Sequence, residues 1–179
     1  SVTIEEFNHY HHVEDHLRQG RIDIGFSYLP TSAEFEAWEL LRDEYVVLLP
    51  PTAKPMVAQL TWEQLRNYPM IQTPPSDGCR YNIEQYLARQ QQTIKFAYDV
   101  REDSTIVSMV RRGLGATIMA KLAAEPIPDD ITVAQPPVPF ERVIGVVTLI
   151  DALQPPSVFA FLDTIKAVWG GKPSEPKAA

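Results

Sequence analysis

Residues 13–26 read Val13-Glu14-Asp15-His16-Leu17-Arg18-Gln19-Gly20-Arg21-Ile22-Asp23-Ile24-Gly25-Phe26. Val13 and Leu17 stand one helical turn apart and share an apolar helix face. Gly20 stops that helix, because only glycine enters the left-handed conformation after a helix end without strain. Ile22, Ile24 and Phe26 then predict a short apolar strand over residues 21–27. A helix that feeds a buried strand through one glycine is a unit of an α/β protein.

Working outward, the same grammar repeats. Val2–Phe7 reads as a strand and residues 11–19 as a helix. Residues 38–41 predict a short strand. Tyr45-Val-Val-Leu-Leu49 is a continuous apolar run closed by Pro50-Pro51, hence a strand buried on both faces. Thr61-Trp-Glu-Gln64 has capping-box spacing and starts a short helix that runs to Asn67. Met70–Gln72 reads as a brief strand, and Thr73–Cys79 as a turn-rich loop. A longer helix over about 80–92 carries Ile83, Tyr86 and Leu87 on one face. Phe96–Val100 is a strand. Asp103 and Ser104 can cap the next helix, which ends before Gly113. Strands follow at Ala116–Met119, Ile131–Val133 and Val143–Leu149, with a short helix near 121–124. A last helix covers Pro156–Val168. Mostly apolar strands that alternate with helices imply an α/β fold with largely parallel sheets covered on both faces.

Composition narrows the function. The chain has 179 residues, 45% of them hydrophobic, and a formal net charge of −7. That acidity argues against direct nucleic-acid binding, which needs clustered Lys and Arg. The single cysteine, Cys79, precludes an internal disulfide and fits a reducing, cytoplasmic setting. No apolar run approaches the length of a membrane span. Ser1–Glu6 lacks the pattern of a secretion signal, and the absence of an initiator Met reads as a piece cut from something longer. Gly170–Ala179 is poor in apolar residues and reads as a loose tail.

A second signature lies at Val110-Arg-Arg-Gly113-Leu-Gly115-Ala-Thr-Ile118-Met119. Taken in order with Leu17…Gly20-x-Ile22-Asp23-Ile24-Gly25, Tyr45–Pro50 and the Leu60–Leu65 segment, it resembles the effector-binding domain of LysR-type transcriptional regulators. The resemblance spans about residues 2–169. It implies a two-lobed fold like that of type 2 periplasmic binding proteins, with two crossover strands. Lobe I would be residues 1–49 plus 147–169, lobe II residues 50–146, and 170–179 a flexible tail. In the family a strand and a helix precede the strand placed at Val2–Phe7, and both are absent here. The winged helix-turn-helix domain that reads DNA is absent as well. The implied function is to sense a small effector, anionic by its expected contacts, in a cleft between the lobes. The implied setting is a homodimer or tetramer of the full-length protein, with DNA contacted only by the winged domain and no membrane partner. A solute-binding protein of a transport system with the same fold is the alternative.

Several residues could carry the ligand. Ser76-Asp77-Gly78-Cys79-Arg80 precedes a helix, where free N–H groups and the positive dipole end suit an anion. Arg80 could add a two-pronged contact, although Ser76 or Asp77 could simply cap the helix. Ser104 stands at a second helix start, where Glu102 and Asp103 compete for the same dipole. Phe26 and Tyr28 lie at the end of a strand, the position that faces the ligand crevice in open α/β folds. Asn8-His9-Tyr10 follows the first strand, where the family often places a polar contact, and Thr148 sits near the return crossover. The expected ligand set is therefore Tyr10, Phe26, Tyr28, Ser76, Arg80, Ser104 and Thr148. His12 and His16, four apart, could share a helix face for a metal, but no Cys pair accompanies them and a solvated face is the simpler reading. Cys79 has no resolving partner. No nucleophile–base pair, phosphate loop or paired carboxylates stand out, so the chain reads as no enzyme. It requires no cofactor.

Overall fold

The computed structural model describes residues 2–7, 9–53 and 58–177. The chain forms two compact units, Ser1–Arg42 with Arg142–Ala179, and Asp43–Glu141. The switches near residues 42 and 142 fall several residues before those expected near 50 and 147.

In the first unit, helix α1 (Tyr10–Arg18) precedes strand β1 (Gly25–Leu29). Strand β2 (Phe35–Leu49) begins here and continues into the second unit. Strand β7 (Glu141–Leu149), helix α6 (Pro156–Trp169) and strand β8 (Lys172–Ser174) complete it. Strand β7 lies between β1 and β2. One face of this sheet is covered by α1, through Val13 and Leu17 with Phe35, Ala37 and Val147. The other is covered by α6, through Val158, Leu162 and Ile165 with Val146. Gly20 has φ +64, the helix-ending conformation that its position demanded. Gly25 is required for a different reason: a Cβ there would lie 2.4 Å from Val13 Cγ1, so α1 packs directly on the strand backbone.

The second unit holds helix α2 (Trp62–Arg66), strand β3 (Met70–Gln72), helix α3 (Gly78–Arg89) and strand β4 (Phe96–Asp99). Helix α4 (Asp103–Arg111), strand β5 (Thr117–Ala120), helix α5 (Lys121–Ala124) and strand β6 (Thr132–Ala134) follow. Successive residues of the Tyr45–Leu49 run alternate between two cores. Tyr45, Val47 and Leu49 pack with Leu65, Ile83 and Leu87, while Val46 and Leu48 pack with Ile106, Val107 and Val110. The strand is thus buried on both faces, as its uniform hydrophobicity required. Thr61 and Gln64 form the reciprocal capping box at the start of α2.

Four expectations need correction. The sheets are mostly antiparallel: β1 with β7, and β2 with β5, β6 and β8. Strands β3 and β4 form a parallel pair. Apolar runs report burial, and burial is indifferent to strand direction. Val2–Phe7 is not a strand; Val2 and Ile4 are largely exposed, so their side chains gain nothing from a sheet. Residues 38–41 are part of one 15-residue strand, not a separate short one. Charged Arg42-Asp43-Glu44 disguises its continuity, but buried Asp43 is satisfied by the Leu122 N–H at 3.1 Å. Finally, Lys172–Ser174 of the supposed loose tail pairs with Ala37–Glu39. Gly171 makes the approach possible, since a Cβ there would stand 1.8 Å from the Glu39 carbonyl oxygen. The Gly170 carbonyl accepts from Trp38 Nε1 at 2.8 Å.

Candidate functional site

In the first unit, Tyr10 is the opening residue of α1. His9 caps that helix, its Nδ1 accepting from the His11 backbone N–H at 3.2 Å. The Tyr10 ring packs on the Tyr28 ring with centroids 5.6 Å apart. Tyr28 in turn receives a 2.6 Å hydrogen bond from Nη1 of Arg142. Tyr28 is paired with Ile144 across β1 and β7, so Arg142 is its diagonal neighbour on the same sheet face. Phe26 precedes Tyr28 by two residues, shares its face of β1 and is 53% exposed. Tyr10 and Tyr28 therefore meet, and Arg142 joins them without having been singled out from sequence, whereas Phe26 pairs with Val146 on the sheet face that α6 covers. Thr148 does not join them: it is buried on β7, roughly 20 Å of strand from Arg142 at about 3.3 Å per residue. Asn8 lies outside the described residues.

In the second unit, the parallel pair β3–β4 organises the expected residues. Each strand is followed by a helix, so α3 and α4 both start at the carboxyl edge of the pair, the side where open α/β sheets bind ligands. Asp77, not Ser76, caps α3 by accepting from the Cys79 N–H at 2.8 Å. Ser76 is exposed just ahead of it. Arg80 is buried and committed. Its Nε meets Glu84 at 2.6 Å, and its Nη1 meets Asp99 at 3.2 Å and the Thr73 carbonyl at 3.1 Å. Its guanidinium also lies 3.8 Å from the centroid of the Phe96 ring. Arg80 thus ties the start of α3 to the ends of both parallel strands. Sequence spacing shows that Arg80 sits near a helix start; it does not show that Asp99, 19 residues on, waits beside it.

Ser104 is exposed in the first turn of α4, whose cap residue Glu102 makes no side-chain capping bond. With Thr105, Ser108, Met109, Arg112 and Leu114 it lines an open hollow of about 400 Å³ on the outer side of that helix. Sequence reasoning also passed over Thr73. This buried residue directly follows β3, ahead of α3, and its Oγ1 has no hydrogen-bond partner. A buried hydroxyl left unpaired is costly unless something else satisfies it. Thr directly after an apolar strand and before Pro-Pro was the only available sign. Ser27 and Thr31 carry similar orphaned hydroxyls in the first unit.

Among the described residues, no group of three His, Cys, Asp or Glu side chains could hold a metal ion. Nδ1 of His16 is engaged with the His12 carbonyl at 2.8 Å. Cys79 is half-buried and in no disulfide. No described helix is long and apolar enough to cross a membrane.

Comparison with known proteins agrees with this architecture. The probable HTH-type transcriptional regulator LrrA of Synechococcus elongatus is 52% identical over 154 residues, 86% of this chain and 52% of LrrA. The uncharacterized HTH-type regulator YbhD of Escherichia coli is 31% identical over 121 residues, 66% of this chain and 38% of YbhD. The chain therefore spans about half or less of the length of these relatives. Among solved structures, the CcmR regulatory domain of Synechocystis in complex with 2-PG superposes with a TM-score of 0.79 at 15% identity, covering 90% of this chain and 80% of that one. The effector-binding domain of QuiR in complex with shikimate gives 0.74 at 20% identity, covering 90% and 78%. The LysR substrate binding domain family matches residues 1–170. Fold, relatives and family match agree: the chain belongs to the LysR substrate binding domain family.

Proposed function

We propose that this domain is the effector-sensing part of a LysR-type transcriptional regulator working in the cytoplasm, with a small acid as its effector. The family match over residues 1–170 carries the reading. The relatives support regulation over solute transport, being named as transcriptional regulators. The acid class is supported by 2-PG and shikimate, the ligands named for CcmR and QuiR. Binding shifts the population of domain conformations, and it does so only through unequal affinity for them. No catalytic step is part of this reading.

In the second unit the start of α3 offers the ligand the positive end of a helix dipole and the orphaned Thr73 hydroxyl. Ser76 stands at the rim, and Arg80 braces the helix start instead of reaching for the ligand. Taken by itself, the first unit carries an aromatic pair, Tyr10 and Tyr28, with ring centroids 5.6 Å apart. DNA binding belongs to a winged helix-turn-helix domain of the full-length protein, and the acidity of this domain agrees with that division. A homo-oligomer is supported by α6, which leaves Phe159, Phe161, Val168 and Trp169 exposed, an apolar exposure typical of association surfaces.

Calorimetric titration of the chain with 2-PG and with shikimate tests the reading. Saturable one-site binding of at least one, weakened in Thr73→Val, is expected. Failure of a broad panel of small acids to bind would count against it.

A further inference from the structure

We infer that Gln72 is a positioning residue for effector binding, an assignment that rests on the acidic-effector reading above. Its buried carboxamide fixes Thr73 so that the Thr73 hydroxyl donates to an oxygen of the ligand. Gln72 is an unexpected residue for its place. Strand β3 is buried along its whole length, and Gln72 is only 1% exposed. Methionine or leucine would fill the same space without desolvating an amide. Both ends of the carboxamide are instead bonded to backbone. Nε2 donates to the Ile118 carbonyl at 2.6 Å, and Oε1 accepts from the Thr73 N–H at 3.0 Å. Turning the amide over would set oxygen against oxygen and N–H against N–H, so these two partners fix its orientation. The backbone carbonyl of Gln72 accepts from the Val100 N–H at 2.8 Å. Gln72 therefore ties the end of β3 to β5 through its side chain and to the residue after β4 through its backbone.

Thr73 is thereby held at every polar group but one. Its N–H is bonded to Gln72, and its carbonyl accepts from Nη1 of Arg80 at 3.1 Å. Arg80 is itself anchored by Glu84 at 2.6 Å and Asp99 at 3.2 Å. The Thr73 Oγ1 alone has no partner, in a residue that is buried. Pro74 and Pro75 follow, and proline has no N–H to turn back on it. Loss of the Gln72 Oε1 would leave the Thr73 N–H unpaired as well and let the residue turn to seek another acceptor. A hydroxyl that is already desolvated and oriented forms a strong bond to a carboxylate or phosphate oxygen. Such preparation lowers the ordering cost of binding.

The test uses the full 179-residue chain, its Gln72→Met and Thr73→Val variants and the double variant, with shikimate and 2-PG as probes. Affinity is measured by calorimetry and amide exchange by NMR. Thr73→Val should weaken binding roughly tenfold, the loss of one charge-assisted bond. Gln72→Met should weaken it about threefold or more, yet add nothing in the Thr73→Val background, because the carboxamide acts only through the hydroxyl. Without any probe, Gln72→Met should speed exchange of the Thr73 N–H roughly tenfold. The Ile71 N–H, bonded to the Ala116 carbonyl at 2.8 Å, should keep its protection. Unchanged exchange at Thr73 overturns the clamp. Faster exchange with parental affinity, or losses that add in the double variant, overturns the positioning role while leaving ligand sensing intact. Should Gln72→Met fold poorly, the parent chain decides. Its Thr73 N–H should be as protected as that of Ile71, and its Gln72 side-chain amide signals should shift when a probe binds; failure of either overturns the assignment. Binding of neither probe to the parent chain overturns the assignment and the acidic-effector reading together.

Discussion

Gly113 and Gly115 differ by one residue of spacing in the sequence, yet alanine should be tolerated at one and not at the other. Gly113 follows α4 with φ +81 and open space where a Cβ would project. Alanine there costs only the left-handed backbone penalty, about 1–2 kcal/mol. At Gly115 a Cβ would lie 2.1 Å from the Pro69 carbonyl oxygen and 3.3 Å from Ile71 Cγ1. That carbonyl accepts from the Ala116 N–H at 2.9 Å, and the Ala116 carbonyl accepts from the Ile71 N–H at 2.8 Å. Relieving the clash means pushing these backbones apart, which breaks both hydrogen bonds inside a core lined by fully buried Ile71, Ala116 and Ile118. Two bonds and the desolvated groups that they leave sum to roughly 3–5 kcal/mol. Urea titrations followed by far-UV circular dichroism should show Gly115→Ala losing clearly more stability than Gly113→Ala, with Gly113→Asn milder still. A Gly115→Ala loss equal to or below that of Gly113→Ala would show that the close approach of β3 and the residue-115 backbone is not real.

Three further outcomes follow from particular contacts. Thr61→Ala removes half of the capping box of α2 and should cost about 1 kcal/mol in chemical denaturation. Burial raises the Tyr86 phenol above its ordinary pKa of 10.0, against a smaller opposite pull from the Val138 N–H. The folded state then holds that proton more tightly than the unfolded state, so Tyr86 lends stability that is full below pH 10 and fades as pH climbs through the raised value. Tyr86→Phe should flatten the alkaline limb of a stability–pH curve, and an unchanged slope would refute this. Arg80→Ala should lower stability by about 2 kcal/mol, because a buried guanidinium with three partners is lost; a thermal melt matching the parent chain would contradict the bracing role.

The parts of this protein that obey local rules are legible in its sequence. Gly20 and Gly113 announce helix ends, and both take positive φ. Thr61 and Gln64 announce a cap, and Tyr45–Leu49 announces a strand buried on both faces. Strand direction is not local. Nothing in Tyr45–Leu49 records that its neighbours are Thr117–Ala120 and Thr132–Ala134 running the other way. The Gly170-Gly171 pair looks like a loose end until Glu39 is found against it. The candidate site divides in the same manner. Tyr10 and Tyr28 could be found from their place at element ends. The bond from Arg142 to Tyr28 could not, because it spans 114 residues of sequence. Arg80 was visible, but the carboxylate of Asp99 that occupies it was not.

The central claim is that this domain takes up a small acid. Native mass spectrometry of the chain, after equilibration with a small-molecule extract of its source cells, addresses it directly. The account predicts one bound acidic molecule per chain, released on denaturation and reduced in Thr73→Val, which removes the orphaned hydroxyl at the start of α3. A chain that takes up nothing, or that retains only a neutral or cationic molecule, would contradict it.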